Sequence, residues 1–76
     1  MDYIEQYVID VVSKLRRDNN LRQSDLGFIL EVSPSFIGNV ENYKNPAKYN
    51  LKHVGLLAHY FKLSPKFFVP EKLTKE

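Results

Sequence analysis

Apolar residues recur along this chain at helical spacing, and polar caps divide the spacing into five segments. Ile4, Val8, Val11, Val12 and Leu15 form one stripe. Asp2 ahead of it, with Glu5 three residues on, predicts a capping box and a helix start near Tyr3. Arg16 and Arg17 suit the negative end of that helix, and Asn19-Asn20 tolerates the left-handed turn that closes it. A second helix is expected from Leu21–Gln23 to Leu30, with Leu26, Ile29 and Leu30 inward and Asp25 in its first turn. Glu31-Val32-Ser33 makes a three-residue turn. Ser33-Pro34 opens a short third helix, with Ile37 and Val40 inward and its end near Asn42.

Tyr43 to Tyr49 reads as a polar loop broken at Asn45-Pro46. Asn50 caps a fourth helix whose inner face is Leu51, Val54, Leu57, Ala58 and Phe61. Ser64-Pro65 repeats the cap-then-proline signal and opens a short fifth helix through Phe67 and Phe68, which Pro70 stops. Residues 1–70 are thus expected to form one domain, with Glu71 to Glu76 a frayed tail. No segment alternates long enough for a strand. The expected fold is all-α, with five short helices around one core.

Composition narrows the classes. Seventy-six residues make one small domain. There is no cysteine, so neither a disulfide nor a thiolate metal site is expected. No apolar run approaches a membrane span and no signal peptide is visible, so a soluble cytoplasmic protein without membrane contact is expected. His53 and His59, six apart on one helix, do not share a face, and no nucleophile motif or phosphate loop is present. His53 reads as a surface residue. An enzyme is therefore not expected, and neither a cofactor nor a metal is implied.

Net charge is only +2, but its distribution is uneven. Between Glu41 and Glu71 there is no acid, while Lys44, Lys48, Lys52, Lys62 and Lys66 fall in that stretch. Arg16, Arg17 and Arg22 make a second basic cluster. The pattern is that of a phosphate-facing surface or of a solvated one.

The second and third helices, joined by a three-residue turn, have the form of a helix-turn-helix. Leu21-Arg22-Gln23-Ser24-Asp25-Leu26-Gly27-Phe28-Ile29-Leu30-Glu31-Val32-Ser33 carries the resemblance, continued by Pro34 through Asn42 and by Leu51, Val54, Leu57, Ala58, Phe61 and Leu63-Ser64-Pro65. These residues resemble the lambda repressor/Cro (XRE) family of helix-turn-helix regulators. The resemblance implies a lambda repressor-like domain that places its third helix in the major groove of operator DNA. It implies base contacts from Ser35, Phe36 and Asn39, with Pro34 offering only apolar contact. An asparagine amide can bond adenine N6 and N7 together. Phe36 has an alternative in plain packing.

Phosphate contacts are implied for Arg22 and Gln23 at the start of helix two, and for Asn42, Tyr43, Lys44 and Asn45 after helix three, extended by Lys48 and Tyr49. Gln23 has an alternative as a capping partner of Asn20, and the lysines as solvated surface. The family's glutamate near the end of helix three commonly meets an arginine on helix one, which implies a structural ion pair between Arg16 and Glu41. Gly27 stands where the family has alanine, and Gly38 lies inside the third helix. Glu31 stands where the family prefers glycine, so an adjusted turn is expected there.

The resemblance implies a transcriptional regulator, repressor-type and homodimeric. The C-terminal helices are the expected dimer contact, through Tyr60, Phe67 and Phe68, with DNA half-sites ~34 Å apart. The competing reading is an antitoxin or phage-type module that uses the same fold to hold a protein.

Overall fold

Asp2 starts the first helix: its carboxylate accepts the Glu5 N–H at 2.8 Å. The Glu5 carboxylate turns away from the helix start and pairs with Lys48, so only half of the expected capping box forms. The computed structural model describes residues 2–73; the last residues of the expected tail, 74–76, lie outside them. Four α-helices follow in order among the described residues: α1 (Tyr3–Asp18), α2 (Gln23–Leu30), α3 (Pro34–Glu41) and α4 (Leu51–Phe61). No strand occurs among those residues, and no helix is long and apolar enough to cross a membrane.

The expected fifth helix is one turn of 3₁₀ helix, Pro65–Phe68. Ser64 caps it through a bond from the Lys66 N–H, and Pro70 follows too closely for an α-helical turn to propagate. This turn packs on α1 and α4, while α2 packs on α3 and α4. One cluster forms the core: Val8, Ile9 and Val12 from α1; Leu26 and Leu30 from α2; Ile37 and Val40 from α3; Tyr49; Val54, Leu57 and Ala58 from α4; and Phe68. Fully burying each large apolar side chain contributes about 1.5–3 kcal/mol.

Three helices end the same way without a glycine. Asn20, Glu31 and Lys62 each take a left-handed backbone, with φ of 56°, 61° and 57°. After each, the next residue's N–H reaches back into the last turn: Leu21 to Arg16, Val32 to Gly27, and Leu63 to Ala58, at 2.9–3.0 Å. These are Schellman closures, and the half-buried Leu21, Val32 and Leu63 seat them. The turn at Glu31 is therefore not adjusted. The glutamate accepts the left-handed conformation because the closure satisfies two carbonyls and packs Val32.

Gly27 makes this turn possible. A Cβ there would stand 2.8 Å from the Val32 carbonyl oxygen and 3.3 Å from the Ser33 carbonyl carbon. Both are backbone atoms that cannot swing aside.

Two residues of α4 differ from expectation. Leu51 is 87% exposed: it shares the stripe of Val54 but stands at the helix's first position, where no neighbour covers it. His53, expected at the surface, is buried. It fits there because its Nδ1 accepts the Asn50 N–H at 3.1 Å and its ring packs against Phe36 and Tyr49.

Candidate functional site

The site is framed by a network at the end of α1. Arg16 grips Glu41 with two bonds, Nε to Oε2 at 2.8 Å and Nη2 to Oε1 at 2.9 Å. Its Nη1 donates to the Leu21 carbonyl at 2.8 Å. Arg16 thereby joins the last turn of α1, the entry to α2 and the last residue of α3. The two side chains are 14% and 12% exposed, so little water competes with the pair. Gln23 completes the network by donating its amide to Glu41 Oε1 at 3.0 Å. Its amide oxygen lies over Gly38, 3.4 Å from where a Cβ would stand. Gln23 is thus a strut between α2 and α3 rather than a capping partner of Asn20.

The start of α2 differs from that of every other helix. Asp2, Ser33 and Asn50 cap α1, α3 and α4 through their side chains. Arg22, at the same position before α2, has no oxygen to offer its first-turn amides. Asp25 instead accepts the Arg22 backbone N–H at 2.8 Å and the guanidinium at 3.2 Å. That guanidinium, through its hydrogen bonds, holds the Asp25 carboxyl below the ordinary range, and Asp25 raises Arg22. The pair is solvent-exposed and weakly held, so Arg22 can swing to another anion.

On α3 the residues divide by face. Ser35 and Asn39, four apart on one side of the helix, are exposed. Pro34 is exposed beside them. Phe36 does not stand with them: its ring lies edge-on to Tyr49 at 6.3 Å and tilted against His53 at 5.5 Å. Packing, not a free outer position, is its role in the structure.

The following loop is built by its asparagines. Asn42 Oδ1 accepts the Lys44 N–H at 3.1 Å, and Asn45 Oδ1 accepts the Ala47 N–H at 2.9 Å. These side-chain oxygens hold the backbone, while Tyr43 stands 82% exposed with the Lys44 ammonium 6.0 Å from its ring. Lys48 lies apart from this group, paired with Glu5, which raises its pKa through that hydrogen bond and charge. Tyr49 is buried, and its hydroxyl has no partner among the described residues. Burial, then the charge of Glu41, push that hydroxyl's pKa far up.

The structure therefore sets Gln23 of α2 against Gly38 and Glu41 of α3, leaves Arg22 exposed at the entry to α2 and Ser35 and Asn39 exposed on α3, and follows them with the loop of Asn42, Tyr43, Lys44 and Asn45. It sets Phe36 into packing and Lys48 onto α1. Of the expected dimer residues, Tyr60 and Phe67 are exposed, but Phe68 is fully buried. Phe68 plugs the core between α1 and α4, so it cannot serve as an intermolecular contact.

Two further features carry a visible signal in the sequence. Phe28 is 87% exposed on α2, and its signal was present: it falls off the stripe of Leu26, Ile29 and Leu30. Asn50 and His53 form a reciprocal cap whose signal is an Asn-x-x-His spacing. Compared with family models, curated proteins and solved structures, the chain matches none.

Proposed function

We propose that this chain is a lambda repressor/Cro-type helix-turn-helix regulator that binds double-stranded DNA with α3 in the major groove. The observation that carries the reading is the pairing of an uncapped α2 start with a polar outer face on the adjacent α3. The free first-turn amides of α2, with Arg22 beside them, suit a phosphate oxygen. Ser35 and Asn39 are the side chains proposed to read base edges. Lys44 and Tyr43 would hold the next phosphate, since the amides of Asn42, Lys44 and Asn45 are already bonded within the turn. Phe36, Gln23 and Lys48 contribute indirectly: Phe36 seats α3, Gln23 braces α2 against it, and Lys48 ties the loop to α1.

Such a regulator acts in the cytoplasm and reads paired half-sites as a homodimer. Exposed Tyr60 and Phe67 are the aromatic residues proposed for the dimer contact. A second reading, a module that holds a protein, draws on Phe28. That ring borders a shallow groove lined by Leu21, Asp25, Ile29 and Tyr60.

Fluorescence anisotropy with labelled duplexes, selected from a random pool, tests the leading reading. The expected result is saturable binding that weakens linearly in log–log terms as salt rises, with Arg22→Ala shallowing the slope by about 1. Absence of a selected sequence, or an affinity indifferent to salt, would refute it.

A further inference from the structure

His53 connects two elements. Its Nδ1 accepts the Asn50 N–H at 3.1 Å, and Asn50 Oδ1 accepts the His53 N–H at 2.9 Å. This is the reciprocal box of a helix start, with an imidazole where glutamate or glutamine is usual. The same ring lies 5.5 Å from the Phe36 ring of α3 and 5.8 Å from the Tyr49 ring, and the residue is buried. We infer that His53 is a proton-operated latch: protonating its ring opens the start of α4 and loosens the seat of α3 at Phe36.

The chemistry follows from the acceptor. Because Nδ1 receives an N–H, the neutral ring carries its proton on Nε2. A second proton goes to Nδ1, which then donates. Two donors, Nδ1–H and the Asn50 N–H, face each other, and the bond between them is lost. A charge also enters a buried cluster of rings.

The neighbours do not rescue that charge. On its own helix, Lys52 repels it. From the preceding loop comes Tyr49, whose hydroxyl burial and Glu41 keep neutral. From α3 comes the uncharged Phe36, and the carboxylate beyond it, Glu41, is gripped by Arg16. Burial first, then Lys52, hold the ring's pKa below its ordinary 6.5. The opened ring regains the ordinary value, so the open form binds the proton more tightly. Acid therefore favours opening between the two values, by up to about tenfold per pH unit, and the neutral latch is fully closed above them. The latch is a property of the chain itself and stands whether or not α3 meets DNA.

Nuclear magnetic resonance of the full chain from pH 8 downward tests it, following the His53 ring and the amides of Asn50 and residues 36–40. The ring is expected to titrate below 6.5, with the Asn50 and Phe36 amides shifting at the same midpoint. Hydrogen exchange of the α3 amides, corrected for intrinsic rate, should accelerate as the ring protonates. His53→Gln keeps a neutral acceptor in the box, so its α3 protection should stay level across that range. A ring midpoint at or above 6.5, α3 amides that ignore the ring's titration, or His53→Gln loosening like the parent would overturn the latch. The parent midpoints decide the matter even if the variant fails to fold.

Discussion

Adjacent residues of α3 have opposite fates. Ile37, Val40 and Glu41 are locked, two in the core and one in the grip of Arg16. Ser35 and Asn39, one or two positions away, stand in solvent. The helix turns about 100° per residue, so a single step carries a side chain from frame to face. The two sides also use different chemistry. The frame spends its charge internally, on a pair that satisfies itself and braces Gln23. The outer face holds neutral hydrogen-bonding groups, Ser35 and Asn39, that stand exposed to solvent. A residue on the frame should therefore change stability first, and a residue on the face should change recognition alone.

Arg16→Ala should do the most damage. It strands the Glu41 carboxylate in a half-dry site and frees the Leu21 carbonyl, at a cost of about 3 kcal/mol. Urea unfolding should show the midpoint falling without a change in slope; a loss under ~0.5 kcal/mol would mean that the pair does not frame the site. Gly27→Ala comes next. Alanine favours a helix by ~1 kcal/mol, but its Cβ would meet the Val32 carbonyl at 2.8 Å. A net loss of about 1–2 kcal/mol is expected in the same assay, and a gain would show that the turn after α2 is not tight.

The smallest effect has the opposite sign. Glu31→Gly relieves a left-handed glutamate and should raise stability by about 1 kcal/mol, read as an upward shift in thermal midpoint. If stability instead fell, the Schellman closure at Val32 would owe more to the glutamate than to the backbone.

How much of this was legible depends on the residue. Asp2, Ser33-Pro34 and Asn50 mark helix starts because each supplies an oxygen that free amides require, and the chain uses all three. Asn20 was legible as a left-handed closure because asparagine tolerates that backbone. Glu31 and Lys62 were not, since neither residue type signals positive φ. Their visible mark is the aliphatic residue that follows, Val32 or Leu63, as Leu21 follows Asn20.

At the site, the exposure of Ser35 and Asn39 follows from spacing, because Ile37 and Val40 set the inward direction. Arg16 and Glu41 meet in a two-bond ion pair, whereas spacing along the chain says nothing of their contact. The burial of His53 was hidden because imidazole reads as polar in a stripe. Its fit depends on two rings from distant positions, Phe36 and Tyr49. Lys48 read as a free cation for the same reason: Glu5, its partner, lies at the other end of the chain and meets it only in the fold.

On the proposed function, α3 carries a recognition face separable from its frame. The most direct measurement combines thermal unfolding with duplex affinity for the double variant Ser35→Ala/Asn39→Ala. The variant's stability should lie within ~0.5 kcal/mol of the parent. Its affinity for the selected sequence should fall by about 1–3 kcal/mol while salt-dependent binding to an unrelated duplex persists. A variant that unfolds, or one that keeps the parent's preference for the selected sequence, would contradict it.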